Sequence, residues 1–410
     1  MRITVVGINY APELTGIAPY TTGFAEGMAH SGHEVNVVTA PPHYPEWRIA
    51  PGYENAYGTT SSINGVQVRR VRCRVPARPS PRGRVLLEAS FAQAAVRASW
   101  HRPDLVVAVS PTLMSAGAVV ARARLAKLPC GVIVQDLYSS GVVETGAMSG
   151  WPARAVAQFE GAVLNGADGV AVIHAKFVDS IAKLGVRQDK VTVIRNWTHI
   201  APPNDEVPVA EVRAAHNWTP DEILAIHTGN MGVKQGLENV VDAAVFQARR
   251  EHPGRRVRFV LIGDGNQRAL LEQRARGVPG LEILEPLPED EFRGVLAAAD
   301  VLLVNEKPGV GEMAVPSKLT SYFVSGRPVV AATDPGSATA CEIQLSGGGI
   351  LVPPGDPEAL LSTVQTIGSD EEIAQRLGAS GRTYARETLD AGFAIRSYER
   401  WCTSLIARRR

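Results

Sequence analysis

The sequence lacks most of the markers that would commit it to a specialised class. Its four cysteines, Cys73, Cys130, Cys341 and Cys402, show neither disulfide-framework nor metal-site spacing. They read as free thiols in a reducing compartment, so the cytoplasm is the expected location. No uncharged apolar run reaches the roughly 18 residues that span a bilayer, Leu105 to Val120 being broken by Ser, Pro and Gly. The apolar run in MRITVVGINYAPE is too short for a signal peptide. There is no G-x-G-x-x-G, no Walker P-loop and no Asp-x-Asp, and His43 has no second His or Cys at metal spacing. Dehydrogenase, NTPase and metal-dependent readings fall together, and no metal site is expected.

What is present is an ordinary globular composition, 45% hydrophobic and 20% charged. A chain of 410 residues exceeds what one hydrophobic core sustains, so two domains are expected. The net charge of +1 hides an asymmetry. Residues 1–200 hold 20 Lys and Arg against 13 Asp and Glu, a difference of +7; residues 201–410 hold 22 against 28, a difference of −6. Seven arginines, Arg69, Arg70, Arg72, Arg74, Arg78, Arg82 and Arg84, crowd one Pro-containing stretch. It reads as a solvated loop, with peripheral contact to anionic lipid or a phosphorylated acceptor as the alternative. Nucleic acid is not an expected partner, because this stretch has no interleaved aromatics for base stacking.

Hydrophobic patterning gives an α/β chain. Ile3 to Ile8 is a β-branched run without polar alternation, as a parallel strand buried on both faces requires. A loop from Asn9 to Gly16, an amphipathic stretch from Ile17 to His30 and a second strand, Glu34 to Thr39, complete a βαβ unit. The alternation recurs at Asp104–Val109, Gly131–Gln135, Gly169–Ile173 and Val191–Ile194. Residues 201–222 are Pro-rich and acidic and read as a linker. A second series follows at Ile223–His227, Val257–Ile262, Leu281–Leu284, Val301–Val304, Pro328–Ala332 and Ile350–Val352. The expectation is two doubly wound Rossmann-like domains, residues 1–200 and 223–389, facing each other across a cleft. A C-terminal helix in residues 390–410 is expected to pack back on the first domain.

Three glycine-bearing loops and one helix start carry the chemistry. Pro12-Glu13-Leu14-Thr15-Gly16 ends where a helix begins, and Gly16 would let a phosphate or sugar approach the backbone; a plain tight turn is the competing reading. TGNMGVKQG, at 228–236, sets Gly229, Asn230 and Lys234 between a strand and a helix, a recurring way to hold a diphosphate leaving group. Gly263-Asp264-Gly265 follows the next strand and by itself needs no ligand. In EMAVPSKLTSYFVSGRPVVA, at 312–331, Pro316-Ser317-Lys318 opens a helix that Gly326 closes. Free N–H groups, the positive helix end and the Lys318 ammonium would meet there, which suits a diphosphate.

These stretches, with NYAPELTGIAPYTTGFAEGMAHSGHEVNVVTAPPHYPEW, QDL at 135–137 and VIRNW at 193–197, resemble glycosyltransferase family 4. The likeness is nearest to its WcaI-like branch, associated with exopolysaccharide and colanic-acid-type sugar transfer. The resemblance implies a GT-B fold and a retaining, metal-independent transferase with no cofactor. A nucleotide-diphosphate sugar, UDP- or GDP-linked, would be the donor on the C-terminal domain. The acceptor, a polysaccharide, a lipid-linked glycan or a natural product, would sit on the N-terminal domain. It implies donor contacts from Gly16, Gly229, Asn230, Lys234, Gly263, Leu287, Pro316, Ser317, Lys318, Leu319 and Ser321. Glu13, Gln135, Asp136 and Asn196 are expected on the acceptor side, with Lys234, Glu312 and Asp136 in catalytic roles. Two departures stand out: Ser321 occupies the position of the family's ribose-binding glutamate, and Gln135 stands where many members carry histidine. A nucleotide-sugar 2-epimerase of the same architecture and a non-catalytic sugar-nucleotide-binding protein are the alternative functions.

Overall fold

A computed structural model describes residues 1–14, 16–77, 80–144, 148–198, 208–249, 254–309 and 317–409. The chain divides into two compact units: Met1–His199 with Ala391–Arg410, and Ile200–Asp390.

The first unit is built on eight strands: β1 (Arg2–Val6), β2 (Glu34–Thr39), β3 (Thr60–Ile63), β4 (Val66–Arg70), β5 (Leu105–Ser110), β6 (Cys130–Val134), β7 (Gly169–Val172) and β8 (Val191–Val193). Their order is β3-β4-β2-β1-β5-β6-β7-β8, parallel except for β3 against β4. The β3–β4 hairpin turns at Asn64-Gly65, both with positive φ. It corrects the reading of the arginine stretch as a solvated loop. Arg69 and Arg70 end β4, and Arg82 and Arg84 lie on the helix Pro81–Arg97. Arg70 is 3% exposed and donates to the carbonyls of Ala40 (3.0 Å) and Ala11 (2.6 Å). A guanidinium has donors enough to tie two segments together, and this one is spent inside the fold.

The helix Ala391–Ala407 belongs to the first unit. Tyr398, Trp401 and Leu405 enter the same core as Phe24, Ile133 and Trp197. Gly131 and Gly169 make room for it: a Cβ at Gly131 would stand 2.4 Å from the Trp401 ring, and one at Gly169 2.5 Å from Leu405. His33 Nε2 and Glu399 Oε1 meet at 2.9 Å on the same seam.

The second unit has six strands, all parallel: β9 (Ile223–Thr228), β10 (Val257–Ile262), β11 (Leu281–Leu284), β12 (Val301–Asn305), β13 (Val329–Ala332) and β14 (Gly349–Val352), in the order β11-β10-β9-β12-β13-β14. Strand β9 sends Ile223 and Ala225 into one hydrophobic cluster and Leu224 and Ile226 into another. Both sheet faces are therefore covered, which is why the strand sequences do not alternate. The order reverses between β9 and β12, and ligands of such sheets bind at the carboxyl ends of the strands flanking that switch. Part of the expected linker is built into this unit. Residues 209–215 form a helix whose Arg213 donates to the Ala298 carbonyl (2.8 Å) and pairs with Asp300 (2.9 Å). Trp218 is buried and donates to Glu282 (2.9 Å).

Candidate active site

The carboxyl ends of β9 and β12 collect most of the expected donor residues. Strand β9 runs into Gly229 (φ 103°), whose N–H donates to the Ile262 carbonyl at 2.8 Å. The loop after β10 lies directly against it: a Cβ on Gly263 would fall 1.9 Å from the Gly229 carbonyl oxygen. Glycine is required there by contact between two backbones. Asn230 is exposed at the loop tip, while Met231 is buried and anchors the loop beneath. Lys234 sits on a single 3₁₀ turn, Val233–Gln235, that ends on Gly236 in the left-handed region. Asn305, closing β12, donates from Nδ2 to the carbonyls of Gln235 and Gly236 at 2.8 Å each, and Lys307 N–H donates to the Lys234 carbonyl at 2.7 Å. The Lys234 backbone is thus strapped down. Its ammonium is partly exposed, with no hydrogen-bond or ion-pair partner among the described residues.

The helix Lys318–Ser325 points its start at the same place. Ser317 is exposed in the N-cap position and accepts no capping bond on its side chain, and the eight-residue helix closes on Gly326 (φ 69°). Lys318 turns inward: its Nζ lies 3.0 Å from His227 Nε2, and a Cβ on Gly229 would stand 3.9 Å from the same nitrogen. Burial pushes the Lys318 ammonium down to about 7, with the Glu306 charge opposing. His227 is held well below its ordinary value, by burial first and then by Lys318. Glu306 is pushed up by burial, while hydroxyl donors from Thr333 and Thr339 pull it back. Leu319 and Ser321 are buried along this helix, and Leu287 is half-buried against the core after β11. Pro316 and Glu312 lie outside the described residues.

In the first unit the expected acceptor residues divide into two groups. Gln135 is buried at the end of β6, and its Oε1 accepts from Asn196 Nδ2 at 2.8 Å; the buried Asn196 Oδ1 has no partner among the described residues. Asp136 follows, half-buried, and its charge acts on the Tyr44 hydroxyl together with Arg84 and Glu13. Glu13 is engaged inside the fold. It is 7% exposed, Oε1 accepts from the N–H groups of His43 (2.7 Å) and Tyr44 (2.9 Å), and Oε2 accepts from Asn9 Nδ2 (2.8 Å). A buried carboxylate with three donors pins two loops together. Gly16 is exposed at φ 65°, and a Cβ there would meet the Tyr44 ring at 3.4 Å.

Sequence reasoning missed three ionisable groups. His227 is the one titratable residue in the apolar run ILAIHT, and that isolation was the available signal. Glu306 directly follows an apolar strand. Glu88, on Pro81–Arg97, accepts from the Met114 N–H (3.3 Å) and is pushed up to about 7 by burial. Its charge acts on the Tyr138 hydroxyl, and the Arg84 guanidinium acts on it in turn.

With this geometry in view, comparison with known proteins is decisive. Residues 15–197 match the glycosyl transferase 4-like domain and residues 222–370 the glycosyl transferases group 1 domain. The WcaI glycosyl transferase of Escherichia coli (strain K12), assigned to colanic acid biosynthesis, is 32% identical over 97% of this chain and 98% of its own. The chain belongs to the family 4-like glycosyltransferases. Its fold is GT-B. Sucrose-phosphate synthase from Thermosynechococcus elongatus superimposes with a TM-score of 0.76 at 18% identity, covering 99% of each chain. Anabaena HepE, solved with UDP and glucose, gives 0.71 at 16% identity over 98% of this transferase and all of HepE.

Proposed function

We propose that the second unit of this glycosyltransferase binds a nucleotide-diphosphate sugar, UDP- or GDP-linked. The enzyme transfers the sugar to a hydroxyl or amine of an acceptor glycan, with retention of anomeric configuration and without a metal. The observation that carries the reading is the convergence of Gly229, Gly263, Lys234, Lys318 and the open helix start at Ser317 on the β9–β12 switch point. As the nucleotide diphosphate departs through an oxocarbenium-like transition state, charge grows on the β-phosphate. The Lys234 ammonium and the N–H groups of residues 317–319 are preorganised donors for that charge. HepE's capture with UDP and glucose supports the donor class. Glu312 is assigned to face the transferred sugar.

The first unit takes the acceptor, with Asp136 as its base and Gln135 and Asn196 as hydrogen-bonding partners. A polysaccharide or lipid-linked acceptor is favoured by the WcaI relative's assignment to colanic acid biosynthesis. Among the described residues no helix is long and apolar enough to cross a membrane. Exposed Val85 and Leu86 beside Arg82 and Arg84 on one helix instead support peripheral contact with anionic lipid at the cytoplasmic face. Thermal-shift measurement against UDP-, GDP- and dTDP-sugars tests the donor reading. A true donor at about 100 times its Kd stabilises by roughly 2.7 kcal/mol, and the absence of any shift across the panel overturns the reading.

A further inference from the structure

A buried lysine beside a buried histidine is an unusual way to end a strand, because neither group brings the countercharge the other would need. His227 is 0% exposed, and its Nδ1 lies 3.1 Å from the Leu303 carbonyl. The ring also meets the Asn230 backbone. A carbonyl can only accept, so with the ring proton on Nδ1, toward Leu303, the Nε2 lone pair faces Lys318 Nζ, 3.0 Å away. Lysine donates to that lone pair either as an ammonium or as a neutral amine. The contact therefore survives loss of the proton.

The surroundings do not fix the charge. From β9 the facing group is His227 itself, which stays neutral. From the end of β12 comes Glu306, whose carboxylate is already engaged by the hydroxyls of Thr333 and Thr339 and which feels the further charge of Asp334. From the loop after β9 comes Gly229, which leaves open the side of Nζ that a side chain there would cover. Lys318 as a residue keeps partial exposure, and Gly229 is exposed.

We propose that Lys318 is a proton-linked contact of the donor site, a neutral amine in part of the unliganded population and an ammonium whenever a diphosphate is bound. His227 acts as a positioning residue that keeps Nζ beneath the Gly229 loop in both states. The inference rests on the donor reading above. Its balance is one proton taken from solvent to form one N–H bond, with no other bond made or broken. Because the bound state holds more protons, affinity falls as pH rises above the free-state value of Lys318 and is level with respect to this group below it.

Calorimetric titration of the whole chain with UDP-glucose, GDP-mannose and dTDP-glucose, in buffers of differing ionisation enthalpy, reads the proton directly. Uptake of about half a proton near pH 7, approaching one by about pH 8.5, is expected, with Kd rising up to about tenfold per pH unit over that range. Lys318→Met, similar in length and apolar, abolishes the uptake, whereas Lys234→Met weakens binding and retains it. His227→Gln, which keeps an acceptor, also retains it. The Lys318 ¹³Cε resonance of the wild-type protein provides a second readout: its midpoint lies near 7 in the free protein and moves upward with nucleotide. Binding heats that do not depend on buffer, or equal uptake in Lys318→Met, overturn the inference while leaving the donor reading intact. Failure of all three nucleotides to bind removes both.

Discussion

The carboxyl ends of the two sheets are built on opposite electrostatic plans. In the first unit, much of the charge is consumed by the fold: Glu13 accepts three hydrogen bonds and Arg70 staples two carbonyls, while Asp136 stays half-buried. In the second unit, charge is left unspent: Lys234 has no ammonium partner among the described residues, Lys318 faces a neutral imidazole, and the helix start at Ser317 is uncapped. On the proposed reading, an anionic donor would supply the missing countercharge when it binds.

The contrast can be broken experimentally. The largest effect is expected in the first unit, where Trp401→Ala empties a site wedged against Gly131 and Gly169. A loss of about 3–5 kcal/mol in urea unfolding is expected, and a loss below about 1 kcal/mol would mean that the helix Ala391–Ala407 is not part of that core. Next is Lys234→Ala, which should lower kcat at saturating donor by about 100-fold, as removal of one oxyanion donor does; near-normal turnover would take Lys234 out of the mechanism. Glu13→Ala strands the N–H groups of His43 and Tyr44 and should cost about 1–3 kcal/mol of stability, with donor affinity unchanged. A change in nucleotide Kd in this variant would erase the division of labour.

The smallest effect is a slope. Lys318 binds its proton less tightly in the folded chain than in the unfolded one, so between about pH 7 and pH 10 the unfolded state carries more protons and stability rises with pH. The contribution is up to about 1.4 kcal/mol per pH unit, and Lys318→Met should flatten the unfolding midpoint against pH by that amount relative to wild type. Parallel curves for the two proteins would return Lys318 to an ordinary surface lysine.

The architecture was legible because both faces of each sheet are covered. Strands such as β2, β10 and β11 run over the residues that their apolar patterns mark, and Gly326 ends its helix as its position demands. The β3–β4 hairpin went unread, although Asn64-Gly65 is a strong turn signal, because its flanking residues TSSI and VQVRR sit at a sheet edge and carry too little apolar pattern. The arginines that follow were visible as charge but not as direction. Nothing in a run of basic residues says that Arg70 turns inward while Arg82 stays out. The site divides in the same way: loops and glycines announce where backbones approach, whereas the inward turn of Lys318 onto His227 depends on a helix and a strand brought together across some 90 residues of chain. Only the lone histidine in ILAIHT hinted at it.

The seating of the helix Ala391–Ala407 on Gly131 and Gly169 has a consequence for how the chain is made. The second unit is complete once residue 390 has left the ribosome, but the first is not: the trough over β6 and β7 stays uncovered while some 190 further residues are synthesised. At roughly 5–20 residues per second that is on the order of 10–40 s, during which the nascent protein displays the greasy wall meant for Trp401 and Leu405. The core over β6 and β7 is therefore closed only after the whole second unit has been made.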